Sequence, residues 1–330
     1  MRFLETLLWP LTLPYGALVR LRARAYQSGL LRQERLNGVV VSVGNLTVGG
    51  TGKTPMVLWI TEHLIAEGRK TGILTRGYRG RLSSGGLVSD EVQLLQSRLG
   101  NRVAFGVGAN RYARGRELAS FGVEWFVLDD GFQHLQLARD VDIVLIDATN
   151  PFGGGHLLPA GRLREPKSAL KRAHIIVITR ANHAASVEGI VQPEPHAPIF
   201  YAQMQLESVR IWRGEYPGLA DRNAHGRRFF AFCGIGNPSA FLADLRTASF
   251  QVVGHRFFRD HHRYTPAEAD AIEAAARTAG ANALLCTEKD VPNLAGVQFR
   301  SMPVCYCRSS LHIEDGNEFW RAIMAKADSR

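Results

Sequence analysis

The stretch "VGNLTVGGTGKTPM", residues 43–56, decides the fold. It departs at one place from the phosphate-binding loop pattern G-x-x-x-x-G-K-[ST], where the first glycine is replaced by Thr47. The flanking sequence favours a nucleotide site over a bare glycine turn. Val39 to Val43 is a short β-branched run of the kind that forms a buried parallel strand, and Pro55 to Glu67 continues with helical spacing. In that strand, loop, helix order, Gly49, Gly50, Thr51 and Gly52 turn backbone N–H groups around an anion and the helix N-terminus adds partial positive charge. Lys53 reaches the outer phosphates, and the Thr54 hydroxyl is placed to ligate Mg²⁺.

Outward from the loop the α/β rhythm continues. Residues 71–75, 102–105, 124–128, 142–147 and 174–179 read as strands, and 109–120 as a helix between two of them. The expected fold is α/β, a P-loop NTPase-like, doubly wound, mostly parallel sheet with a second, smaller α/β domain and an N-terminal membrane-interfacial helix. Ligands in such sheets collect at the carboxyl ends of strands. "EWFVLDDGFQH" (124–134) ends an apolar strand with Asp129 and Asp130, the position of carboxylates that hold Mg²⁺ directly or through water. "GLVSDEVQLL" (86–95) offers Asp90 as a helix cap or a base. "NPFGGGHLLPAGRLREP" (150–166) reads as a loop in which Arg162 and Arg164 meet phosphate.

The 330 residues suffice for two domains, and 45% hydrophobic with 21% charged residues excludes a disordered chain. The division expected is 1–35 as an amphipathic segment, 36–200 as the P-loop core, 201–225 as an extended linker and 226–330 as the smaller α/β domain. Net charge is +10, and only six of the 40 basic residues are lysines. Arginine suits phosphates and anionic headgroups, and an arginine bias also follows from a GC-rich genome; both readings stand. The four cysteines form no Cys-x-x-Cys pair, and Cys305 and Cys307 are read as facing opposite sides of a strand, so neither zinc nor a disulfide framework is expected.

"MRFLETLLWPLTLPYGALVRLRARAYQSGLLRQERL" (1–36) opens with apolar and aromatic residues and continues with arginines. Pro10, Pro14 and Glu5 interrupt what would need about 20 apolar residues to span a bilayer. A signal peptide is rejected because arginines follow the apolar part directly. Two readings remain, an interfacial segment with its arginines on anionic lipid and a helix packed on the protein's own core. In "FFRDHHRYTPAEAD" (257–270), Asp260-His261-His262 cannot complete a metal site alone and reads as a loop before a helix starting at Thr265-Pro266.

Together, "GNLTVGGTGKTP", "TRGYRG", "SDE", "LDDGFQH", "PFGGGHLLPAGRLREP", "DHHRYT" and "TEKD", in this order over most of the chain, resemble the tetraacyldisaccharide 4′-kinases, the lipid A 4′-kinases of Gram-negative bacteria. Thr47 belongs to that family's pattern. The resemblance implies a kinase at the cytoplasmic face of the inner membrane, bound peripherally, using ATP and Mg²⁺ to phosphorylate the 4′-hydroxyl of a lipidated glucosamine disaccharide 1-phosphate, with no nucleic-acid partner. It implies Thr47, Gly49, Gly50, Thr51, Gly52, Lys53 and Thr54 on the nucleotide with Gln133 nearby, Lys53 also as a catalytic residue, and Thr54, Asp129 and Asp130 on the metal. It makes Asp90 and His261 a catalytic dyad on the acceptor hydroxyl, with His261 supplied across a cleft whose closure gates the reaction. Asn45, Arg76, Arg111 and Arg164 are candidates for the acceptor side. A regulatory GTPase is the competing class, but "LDDGF" is no Asp-x-x-Gly switch and "TEKD" no Asn-Lys-x-Asp guanine reader.

Overall fold

The computed structural model describes residues 2–77, 81–83, 86–183, 189–190, 197–214 and 227–329, so Tyr78 to Gly80 of the "TRGYRG" string and the later part of the expected linker lie outside the described residues. In chain order the elements are α1 (Arg2–Gln27), β1 (Val39–Asn45), α2 (Lys53–Ala66), β2 (Thr71–Thr75), β3 (Arg81–Ser83), β4 (Gly86–Val88), α3 (Asp90–Leu99), β5 (Ala104–Val107), α4 (Arg111–Ser120), β6 (Trp125–Asp129), β7 (Val141–Asp147) and β8 (Ile175–Thr179). They continue with β9 (Ile199–Arg213), β10 (Arg228–Cys233), α5 (Pro238–Thr247), β11 (Gln251–Phe257), α6 (Pro266–Thr278), β12 (Ala283–Thr287), β13 (Val304–Ile313) and α7 (Gly316–Asp328).

Two compact units emerge: residues 1–88, 98–203 and 311–330 form the first, and 89–97 with 204–310 the second. The division therefore differs from cuts at 200 and 226. Residues 89–97 go with the second unit, the last twenty residues return to the first, and the expected linker contains most of strand β9.

In the first unit the strand order β9-β8-β7-β1-β6-β2-β5 is parallel throughout. β1 lies between β6 and β7 and is buried on both faces almost to its ends, which explains why it reads as an apolar run rather than an alternation. One side of the sheet packs Leu36, Val40, Leu74, Leu118 and Phe126, and another cluster joins Leu46, Phe132, Val144, Ile146 and Ile176. Gly44 sits where β1 passes Phe132 so closely that an added Cβ would stand 2.5 Å from the phenylalanine's own Cβ. α7 closes on α2, with Phe319 5.3 Å from the Trp59 ring and Trp320 Nε1 donating to Glu67 Oε1 at 2.6 Å. These contacts place the C-terminal helix with the first unit.

α1 is one helix with Pro10 and Pro14 inside it, so the N-terminal segment is helical as expected, and the prolines that break its apolar run do not break the helix. Both prolines are exposed, on the side of the helix that faces away from the protein. Tyr15, Gly16 and Val19 turn toward the protein, with Tyr15 Oη donating to the Arg164 carbonyl at 2.9 Å. Trp9, Leu11, Leu13, Leu18 and Leu21 are exposed.

In the second unit β11, β10, β12 and β13 pair in parallel. Period two along β10 sends Phe229, Ala231 and Cys233 to a core with Phe241 and Leu245 of α5, and Phe230 and Phe232 to a core with Ala269, Ile272 and Ala276 of α6. Cys305 and Cys307 share the first of these cores. That corrects the expectation of opposite faces, since residues two apart on a strand must share one. All four cysteines are buried and free.

Candidate active site

At the carboxyl end of β1 the chain enters the glycine loop, whose Gly49 (φ 128°) and Gly52 (φ 89°) have left-handed backbones that only glycine adopts without strain. Gly52 caps α2, so the first helical amides open onto the loop. Thr47 needs no such freedom, because it pairs by a β-bridge with Leu163 while Val48 N donates to Arg162 O at 2.8 Å. Residues 150–166 are thus more than a surface loop, since they run alongside the phosphate loop and brace its outer lip.

Asn45, fully buried, donates from Nδ2 to the Thr47 carbonyl at 2.8 Å and accepts from Lys53 Nζ at 3.2 Å. Lys53 also lies 3.5 Å from Asp130 Oδ1. Arg164 Nη1 donates to both Asp130 oxygens, at 2.9 and 2.8 Å, and to Gln133 Oε1 at 3.4 Å. Burial alone would raise the Asp130 pKa, but Lys53 and Arg164 outweigh it and hold the carboxyl below the usual range. Gln133 Nε2 ties the cluster back to the Asn45 carbonyl at 2.9 Å and to Glu165 at 3.1 Å, and Arg172 pairs with Glu165.

Asp129 ends β6 beside Val43 of β1 and accepts from Thr75 Oγ1 at 3.3 Å. Asp129, Asp130 and the Thr54 hydroxyl are hard oxygen donors that suit Mg²⁺, which keeps part of its water shell and shares it with phosphates. Arg111 is buried, its Nη1 3.3 Å from His134 Nδ1. Burial, then the charges of Arg111 and Arg139, bring the His134 pKa down to about 4, so this imidazole is neutral at pH 7. Arg76 follows β2 and is exposed. Of the four acceptor-side candidates, the structure therefore places Asn45 and Arg164 in contacts within the nucleotide loop and its neighbours.

In the second unit His261 Nδ1 stands 2.7 Å from Asp90 Oδ2, and Asn293 Nδ2 donates to the same oxygen at 3.3 Å. Asp90 is the first residue of α3 and not its cap. Ser89 takes that role, its Oγ accepting from Val92 N at 3.4 Å, while Asp90 Oδ1 accepts from Glu91 N at 3.0 Å and Oδ2 faces the imidazole and Asn293. Burial would raise the Asp90 pKa, but the His261 hydrogen bond and neighbouring charges lower it overall. The hydrogen bond that its Nδ1–H donates to Asp90 raises the His261 pKa against the opposing effect of burial. His261 has a left-handed backbone, φ 59°, fixed by its N–H donating to Gly234 O at 3.0 Å. His262 instead serves the helix start, pairing with Glu268, which forms a capping box with Thr265. Lys289 of "TEKD" lies 3.6 Å from Glu91 and 3.5 Å from Asp260, and buried Asp290 accepts from Gly234 N, Tyr264 Oη and Thr287 Oγ1. Sequence reasoning passed over these roles, as it did Glu165. Among the described residues no group of three or more His, Cys, Asp or Glu side chains could hold a metal.

A glycine loop between a buried parallel strand and a helix, a lysine at the helix start and paired carboxylates on the neighbouring strand define a P-loop phosphotransferase of the α/β class. The model of the family "Tetraacyldisaccharide-1-P 4′-kinase" matches residues 4–328. The chain is 40% identical over 318 residues to tetraacyldisaccharide 4′-kinase of Geobacter metallireducens, covering 91% of each chain. It is 38% identical over 336 residues to the enzyme of that name from an Anaeromyxobacter species, covering 94% of this chain and 89% of the relative. A crystal structure of LpxK from Aquifex aeolicus in complex with ATP superposes with TM-score 0.73 at 28% identity, covering 98% of this chain and 99% of the other. The chain belongs to the tetraacyldisaccharide 4′-kinase family, a family of lipid kinases.

Proposed function

We propose that this chain transfers the γ-phosphoryl group of ATP to the 4′-hydroxyl of a tetraacylated glucosamine disaccharide 1-phosphate. The observation that carries the reading, beside family membership, is the His261–Asp90 pair at 2.7 Å. A module that merely binds or switches on a nucleotide has no need of a partly buried imidazole–carboxylate pair, whereas a kinase must take a proton from its acceptor.

The N–H groups of residues 49–54 and the Lys53 ammonium bind and orient the β- and γ-phosphates. Asn45 and Asp130 keep Lys53 in place from two sides. Thr54 and Asp129, with Asp130 beside them, would hold Mg²⁺, which when bound neutralises charge on the transferring phosphoryl. The transition state of phosphoryl transfer is loose, so the acceptor proton leaves late and positioning contributes most. The Asp90–His261 pair accepts that proton as a unit. Nδ1 already carries the proton it shares with Asp90 Oδ2, so the acceptor proton goes to Nε2 and leaves an imidazolium facing a carboxylate, the state favoured by the raised His261 pKa.

The acceptor is a lipid, and the exposed leucines and Trp9 of α1 with its arginines suit a peripheral site at the inner-membrane surface, on the cytoplasmic face where ATP is found. No described helix is long and apolar enough to cross a membrane. The test is incubation with γ-labelled ATP and the lipid disaccharide, followed by locating the label. Label on the 4′-oxygen supports the reading; label only in inorganic phosphate defeats it. GTP replacing ATP without loss would revive the GTPase class.

A further inference from the structure

We infer that Arg180 and Thr179, at the end of β8, act as positioning residues for the phosphate loop by anchoring two of its carbonyls from outside. Thr179 Oγ1 donates to the Thr51 carbonyl at 3.0 Å and Arg180 Nη1 to the Gly50 carbonyl at 3.0 Å. In a planar trans peptide the C=O and the next N–H point in opposite directions. Holding the Gly50 oxygen therefore aims the Thr51 N–H the other way, and holding the Thr51 oxygen does the same for the Gly52 N–H. These are the amides a phosphate would meet.

Arg180 is itself clamped. Its Nη1 also pairs with Asp147 Oδ2 at 2.5 Å, and Asp147 Oδ1 accepts from the backbone and hydroxyl of Thr149 at 3.0 and 2.6 Å. Asp147 ends β7 and Thr179 ends β8, two adjacent strands in register at this very pair, so the clamp is mounted on the sheet and not on a loop. Arg180 and Asp147 are 8% and 5% exposed, and an ion pair this buried costs desolvation. Arg180 also has a left-handed backbone, φ 55°, and its buried Nε has no hydrogen-bond partner among the described residues. Both features are unfavourable, and they persist where the surroundings over-determine the conformation. The contact that justifies them here is the one Nη1 makes to the glycine loop.

The test uses the full chain and three variants: Arg180→Met, Arg180→Lys and Thr179→Val. Arg180→Met should weaken the ATP Kd by about 10-fold or more, from loss of a charge-assisted hydrogen bond, with the KM for the lipid acceptor nearly unchanged. Arg180→Lys should recover most of the loss, because a single nitrogen makes both contacts and an ammonium can replace it. Thr179→Val, close in shape, should weaken ATP by roughly 3-fold to 10-fold through one neutral bond. A folded Arg180→Met protein that binds ATP as tightly as the parent overturns the assignment. So does a parallel rise in ATP Kd and acceptor KM, which would mean general loosening. Should Arg180→Met fail to fold, unchanged ATP affinity in Thr179→Val overturns it equally.

Discussion

His261 Nδ1 and Asp90 Oδ2, 171 residues apart in sequence, lie 2.7 Å apart in the second unit, and Asn293 adds a third group to the same oxygen. Members of one catalytic unit fail together. Asp90→Ala and His261→Ala should each lower kcat by about 100-fold or more, with the double variant costing little beyond either one, as expected of general acid–base groups. Nucleotide Kd should stay constant across all three. Fully multiplicative losses in kcat would separate the two roles.

The same pair has a pH signature in stability. His261 has a folded pKa above its ordinary 6.5, so its contribution is complete below about 6.5 and is lost as pH rises through the raised value. Asp90 has a folded pKa below its ordinary 3.8, so its contribution is present above that value and is lost as pH falls through the lowered one. Between these limits the pair is most stabilising. The Tm difference between the parent and His261→Gln should therefore be largest near pH 5 to 6 and shrink toward pH 9. A difference flat over that range would mean the histidine is not coupled to the carboxylate.

Lys53→Ala and Asp129→Ala should lower turnover by orders of magnitude in proteins that remain folded, since each removes a charge from around the transferring group. Circular dichroism and thermal melting establish folding, and the kinase assay gives the loss. Full activity in either folded variant would take that residue out of the site.

Deleting α1 would confuse two effects, because Tyr15 touches the Arg164 backbone. A cleaner variant replaces Leu11, Leu18 and Leu21, which are 56%, 64% and 65% exposed, with glutamine. We expect unchanged Tm and ATP affinity, weaker sedimentation with anionic vesicles and a higher apparent KM for the lipid acceptor. Undiminished vesicle binding would move the membrane contact elsewhere.

Asp290→Ala should destabilise the chain by about 2 to 4 kcal/mol by leaving the Tyr264 hydroxyl and the Gly234 N–H without their buried acceptor. Because the Gly234 carbonyl holds the His261 backbone, kcat should fall as well while ATP affinity stays the same. Chemical denaturation and steady-state kinetics on one preparation give both numbers.

What the sequence announced were features of short range. β1, β2 and β6 to β8 are apolar runs that could be seen because parallel strands are buried on both faces, and the glycine loop was fixed by its neighbours on either side. The helix start at Thr265-Pro266 was visible for the same reason, its capping box lying within four residues. What stayed hidden depended on distance. From its neighbours Asp90 reads as a cap, and only the family resemblance pairs it with His261; Ser89 does the capping, and the histidine on the carboxylate comes from far along the chain. Arg180 gave a faint sign, a charged residue directly after five buried ones, but its partners lie 33 and 130 residues back. The return of α7 to the first unit rests on Trp59, Phe319 and Trp320, whose meeting no local pattern encodes.

Gly44 and Thr47 exchange the places that the phosphate-loop pattern gives them. The pattern demands glycine at 47 and is silent at 44, yet Thr47 lies in an extended bridge with Leu163 that any L-residue can adopt, while Gly44 faces Phe132 with no room for one carbon. A saturation scan of residues 43–56 should therefore find small non-glycine residues accepted at buried position 47, where a motif search demands glycine, and intolerance at position 44, which it ignores. Relatives that have drifted too far for such a search would be better sought by a glycine three residues ahead of the consensus start, paired with an aromatic residue just past the Asp-Asp strand end.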